Sequence, residues 1–117
     1  MDDDELIVHF FKLILEETGY DVATAFTGTE AIEKASSKNI DLAILDYKLT
    51  DTTGDKLAVK LKEINDKTGF VFVTGYSEAR DIILSRKLSN HVVVKPIKDE
   101  VLIETVELAL HEPETRI

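Results

Sequence analysis

The sequence contains no cysteine. Disulfides and thiolate metal sites are therefore excluded, and a reducing cytoplasm is the compartment this composition fits. No apolar stretch is long enough to span a bilayer, and no secretory signal pattern opens the chain. Basic residues are few beside acidic ones: 14 Lys and Arg against 23 Asp and Glu leave a net charge of −9. That sign disfavours direct binding to nucleic acid. Solubility is its plainest use, with some of the acids left to build a site. No repeat, low-complexity segment or internal linker is visible. His9, His91 and His111 stand far apart and read as surface or packing residues, so no catalytic histidine is assigned.

What is present is a chain of 117 residues, 44% apolar, enough for one domain with its own core. Helical and strand periods alternate along it. Glu5 to Thr18 carries Ile7, Phe10, Phe11, Ile14 and Leu15 on one helical face and stops at Gly19. Leu6 and Leu13 broaden that face, with His9 between them. A broader buried side is the reading taken, against a docking patch for a partner protein or a second copy. Val22 to Phe26 reads as a short strand. Thr27-Gly28-Thr29-Glu30 is a capping box opening a helix with Ala31, Ile32 and Ala35 inward. Asp41 to Leu45 is a strand. Thr52 or Thr53 caps a helix reaching about Asn65, with Leu57, Leu61 and Ile64 inward. Phe70 to Val73 is a strand, Ser77 to Leu88 a helix and Val92 to Val94 a strand. Lys98 to His111 is the last helix, with Val101, Leu102, Thr105, Val106 and Leu110 as candidates for its buried side. The domain is taken as residues 1–112, with 113–117 a C-terminal tail.

Strands alternating with helices imply a parallel sheet covered on both faces. In such sheets ligands bind beyond the carboxyl ends of the strands. Asp46 ends the run Leu42-Ala43-Ile44-Leu45, Thr74 ends Phe70-Val71-Phe72-Val73, and Lys95 ends Val92-Val93-Val94 with Pro96 behind it. Further acids stand at Asp2, Asp3 and Asp4. Carboxylates, a hydroxyl and a lysine at strand ends suit a hard cation and a phosphoryl group. Each residue also has a plain reading. An aspartate after a strand is usually a turn or cap, Thr74 could be strand filler, Lys95 a surface lysine, and Asp4 the cap of the first helix. The whole set in order reverses these readings.

Taken together, the residues resemble the receiver domain of two-component response regulators over nearly the whole chain. The resemblance rests on Asp2-Asp3, Asp46, the spacing from Asp46 to Gly54, Thr74 and Lys95-Pro96. It implies a flavodoxin-like, doubly wound α/β sheet of order 2-1-3-4-5. It implies that Asp46 accepts a phosphoryl group and that Mg²⁺ is the cofactor, bound by Asp3 directly, Asp2 mostly through water, Asp46 and the backbone carbonyl of Lys48. Thr74 would bond a phosphoryl oxygen, and Lys95 would pair with the acceptor and then the phosphoryl group. The donor would be a histidine kinase or phosphotransfer protein. A homodimer is possible within the family, while a nucleic-acid or membrane partner is not expected. The output face would be formed by residues 77–88, 92–94 and 98–111. Such a chain would phosphorylate itself without turning over an external substrate.

Several positions depart from the family pattern. Val92 stands where an aromatic switch residue is common, and Thr50 where proline is common. Lys48 and Tyr76 are large for their places and predict a screened, long-lived phosphoryl-aspartate. Only Met1 precedes Asp2, so the central first strand of the family has no counterpart in the sequence, and a preceding segment or another chain is expected to supply it. The alternatives are a non-phosphorylated receiver-like scaffold, which Val92 and the incomplete start favour and the intact acids, Thr74 and Lys95 oppose, and a haloacid dehalogenase type of phosphatase. Asp46-Tyr47-Lys48-Leu49-Thr50 faintly resembles the Asp-x-Asp-x-Thr motif of the latter, but Lys48 stands in place of the second acid.

Overall fold

Apolar residues occupy both faces of every strand, and this sets the architecture. The computed structural model describes residues 5–46, 49, 51–75, 91–95 and 97–111. Its element order is α1 (Glu5–Glu17), α2 (Gly28–Ser37), β1 (Leu42–Asp46), α3 (Gly54–Ile64), β2 (Gly69–Thr74), β3 (Val92–Val94) and α4 (Asp99–Leu110). The strands form a parallel sheet of order β1-β2-β3. Every residue of the middle strand, β2, is buried, as expected where helices cover both faces of a parallel sheet.

Strand alternation divides the core into two layers. On one side Leu45, Phe70 and Phe72 pack with Leu49, Leu57, Ala58 and Leu61 of the following loop and α3, and Ala31, Ile32 and Ala35 of α2 cover them. On the other side Val71 and Val73 pack against Phe11 and Leu15 of α1 and against Leu102, Val106 and Ala109 of α4. The helix ends follow local chemistry. Gly19 takes φ of +105°, its N–H donates to the carbonyl of Glu16, and the Tyr20 N–H donates to that of Leu15. This is the Schellman pattern that lets a glycine stop a helix. At α2, Thr27 Oγ1 accepts from the Glu30 N–H at 3.1 Å. The Glu30 carboxylate reaches one residue further back than in a standard capping box, to the Phe26 N–H at 2.9 Å.

The inward faces differ from expectation at several points. Phe10, Ile64 and Val101 are exposed, as are Leu6 and Leu13, while Val8, outside the expected set, is buried. α1 therefore buries a narrow stripe of Val8, Phe11 and Leu15, and the broader buried side does not form. Thr53 is the residue before α3, but its hydroxyl makes no capping bond. The expected helix over 77–88 and the tail lie outside the described residues.

The expected strand over 22–26 is absent: residues 20–25 have no regular secondary structure. The reason is the sheet's edge. β1 pairs with β2, and no described strand lies on its other side. In the order 2-1-3-4-5 the strand over 22–26 pairs only with the first strand. With no first strand among the described residues, its backbone has no ladder to join. Between residues 20–25 and β1 there is instead a cavity of about 440 Å³, reached by side chains of both core layers, including Phe11, Val22, Ala25, Leu45, Leu61 and Val106.

Candidate functional site

The site is built where the three strands end. Asp46 is the last residue of β1 and lies beside Val73 of β2. Thr74 is the last residue of β2 and lies beside Val94 of β3. Lys95 follows, and its N–H donates to the carbonyl of Thr74 at 2.7 Å. β2 thus stops one residue beyond β1, β3 stops level with β2 with Lys95 as the next residue, and all three residues arrive at one rim. The apolar runs cause this directly, since each becomes a strand up to its first polar residue.

The arrangement is largely buried. Thr74 is fully buried and Asp46 is 7% exposed. Lys95 extends its side chain from β3 to β1, where Nζ meets Asp46 Oδ2 at 3.3 Å. A lysine ammonium has donors but no acceptor, so it neutralises a carboxylate and leaves it able to act through oxygen. The separation is longer than the 2.7–2.9 Å of a tight charge-assisted bond, which suits a pair that must admit a further group. Val92 packs against the cluster containing Leu45 and Phe72. The position expected to hold an aromatic switch is thus filled by a half-buried aliphatic side chain.

The described part of the site fits a hard divalent cation in its chemistry. Asp46 supplies a buried carboxylate at a rim with no cysteine nearby, and oxygen donors with few carboxylates are what Mg²⁺ prefers. The other expected ligands, Asp2, Asp3 and the Lys48 carbonyl, lie outside the described residues, as do Thr50, Tyr76 and Pro96. Among the described residues no cluster of three or more metal-ligating side chains occurs.

One feature of the rim was not legible in the sequence. Asp51 lies in the loop after β1 and binds the start of α2. Its Oδ1 accepts from the Gly28 N–H at 2.9 Å, and its Oδ2 accepts from the Thr29 N–H at 3.1 Å and the Thr29 hydroxyl at 2.9 Å. Donation from Gly28 first, then from Thr29, holds the Asp51 carboxyl below its ordinary pKa. The partners are 22 and 23 positions away, so no local motif announces them.

Comparison with known proteins gives one consistent answer. The family model for the response regulator receiver domain matches residues 1–107. The chain is 30% identical over 115 residues to the alkaline phosphatase synthesis transcriptional regulatory protein PhoP of Bacillus subtilis, covering 97% of this chain and 48% of that protein. It spans about half the length, or less, of the curated relatives it matches first. Among solved structures, a CheY-like response regulator receiver domain protein from Methanospirillum hungatei superposes with a TM-score of 0.85 at 31% identity, covering 93% of this chain and 88% of that one. The response regulator TrrA of Thermotoga maritima, solved in complex with Mg²⁺ and BeF, superposes with a TM-score of 0.83 at 33% identity, covering 93% and 94%.

Proposed function

The chain belongs to the response regulator receiver domain family, and on that premise we propose that it is a phospho-acceptor switch of a two-component phosphorelay with Asp46 as the acceptor. The observation that carries this reading is the buried Asp46 carboxylate at the strand rim with Lys95 Nζ at 3.3 Å. An Asp46 oxygen attacks the phosphorus of a phosphohistidine in line. The new bond is O–P, the broken bond is P–N, and the imidazole leaves with the electron pair and takes a proton. Lys95 neutralises charge on the acceptor and then on the phosphoryl oxygens. Thr74 donates its hydroxyl to a phosphoryl oxygen. Asp46, Asp3, Asp2 mostly through water, and the Lys48 carbonyl would hold Mg²⁺, which would supply the remaining positive charge.

The donor is a histidine kinase or phosphotransfer protein, and the compartment is the cytoplasm. No described helix is long and apolar enough to cross a membrane. The output is a population shift at a face that includes β3 and α4. The exposed Leu6, Phe10 and Leu13 of α1 form a second candidate docking stripe, for the donor or a second copy. The test is chemical. Incubation with acetyl phosphate and Mg²⁺ should give an adduct that hydroxylamine removes, as an acyl phosphate requires. A hydroxylamine-stable adduct would rule out aspartate as the acceptor.

The competing reading, a receiver-like scaffold that takes no phosphoryl group, draws on Val92. It is separated by metal titration: a scaffold has no need of a divalent cation, and the acceptor does.

A further inference from the structure

The cavity of about 440 Å³ is lined by backbone segments on two sides, β1 on one and residues 20–25 on the other. Both core layers reach it: Ala35, Leu45 and Leu61 from one, Phe11, Leu15 and Val106 from the other. The cost of an apolar cavity rises with its volume, and apolar walls hold no ordered water. A domain with a small margin of stability therefore gains by filling this space. The β1 side indicates with what. Asp41 turns its carbonyl to β2, where it accepts from the Gly69 N–H at 3.0 Å. Successive residues along a strand turn their backbone to opposite edges, so Leu42, which lines the cavity, turns its N–H and C=O away from β2. A small apolar molecule offers such groups no partner. An extended backbone does, and its side chains alternate between the two layers.

The two ends of the cavity differ. The Phe26 N–H is bound by Glu30 of the first turn of α2, and Gly28 and Thr29 of that turn are held by Asp51, beyond the rim end of β1. Residues 20–25 therefore run toward the rim, in the direction of β1. Asp21 and Asp41, both exposed, line the opposite end. A strand entering parallel to β1 has its amino end beside these two acids. Lys12 and Lys34 line the cavity from α1 and α2, and the Lys34 ammonium donates to the Thr24 carbonyl.

We propose that this cavity is a docking slot for an extended segment of a partner protein: about five apolar residues, the usual length of a strand, preceded by Lys or Arg that meets Asp21 and Asp41, and paired in parallel with β1. The mode is strand addition, in which main-chain bonds supply affinity and side-chain pockets supply specificity. Apolar residues are required throughout the run because both faces of a strand in this place are covered. The slot does not depend on Asp46 being the acceptor.

The experiment is fluorescence anisotropy with the full chain and a dye-labelled synthetic peptide, two lysines followed by five alternating isoleucines and valines. Circular dichroism follows folding. The peptide should bind saturably with one copy per chain and raise the melting temperature with its concentration. A proline at the centre of the run removes one ladder donor and should weaken binding by about tenfold, the worth of one buried backbone group left unanswered. Glutamates in place of the lysines should also weaken it. Asp21→Lys with Asp41→Lys, at two exposed positions, should reverse that preference. A chain that is unfolded alone and folds on adding the peptide also supports the slot.

No saturable binding by the folded chain overturns the proposal, as does a chain that stays unfolded with the peptide. Equal binding of the proline peptide overturns it by showing apolar adhesion without a strand. An unchanged charge preference in the doubly substituted chain overturns the parallel entry beside Asp21 and Asp41. A dimer in sedimentation that the peptide fails to dissociate, with no peptide bound, places a second copy in the slot and overturns the partner.

Discussion

Lys95 Nζ and Asp46 Oδ2 lie 3.3 Å apart although β2 stands between their strands. Strands two places apart in a sheet are separated by about 9–10 Å, so the lysine side chain spans the rim above Thr74 to reach the carboxylate. A phosphoryl group entering at Asp46 therefore meets a cation already in place.

That relationship predicts the behaviour of Lys95→Met, which keeps the length and removes the charge. Phosphoryl adduct formation from acetyl phosphate at saturating Mg²⁺ should slow by about a hundredfold, the usual cost of removing one preorganised electrostatic group. Circular dichroism should remain that of the unsubstituted chain. A rate close to the unsubstituted one would show that Lys95 serves structure alone.

Thr74→Val removes a hydroxyl and keeps the β-branch of a fully buried residue. If the hydroxyl bonds a phosphoryl oxygen, adduct formation should fall by about tenfold, the worth of one hydrogen bond to a charged group. Mg²⁺ binding in the absence of phosphoryl donor should be unaltered. Loss of Mg²⁺ binding instead would place Thr74 in the support of the metal site.

The two sides of the helices make a stability contrast. Leu102 is wholly buried and Leu6 is 82% exposed. Leu102→Ala should destabilise by about 2–5 kcal/mol through lost burial and the cavity left behind. Leu6→Ala should stay within about 0.5 kcal/mol. Denaturant midpoints measure both. A large cost for Leu6→Ala would show that α1 is covered in solution.

How far the sequence carried the fold depends on whether the cause is local. β1, β2, β3 and the four described helices follow from apolar periods and from stops such as Gly19. Asp46, Thr74 and Lys95 fall at the strand ends because each is the first polar residue after an apolar run. The strand over 22–26 was misread because a strand exists only with a partner, and its partner is not among the described residues. The exposure of Phe10, Ile64 and Val101 was missed for a related reason. Periodicity gives the apolar side of a helix, but the neighbour decides how much of that side is covered. Asp51 was missed because its value comes from α2, more than 20 positions earlier. Val92 packs against the core cluster on one side of the sheet, which is why an aliphatic side chain is at home there.

The central claim is that Asp46 is the acceptor. Its most direct test is the intact mass of the chain after incubation with acetyl phosphate, with and without Mg²⁺, beside Asp46→Ala treated identically. The account predicts a single phosphoryl adduct that needs Mg²⁺ and is absent from folded Asp46→Ala. An adduct of the same yield on Asp46→Ala, or none on the folded unsubstituted chain, would contradict it.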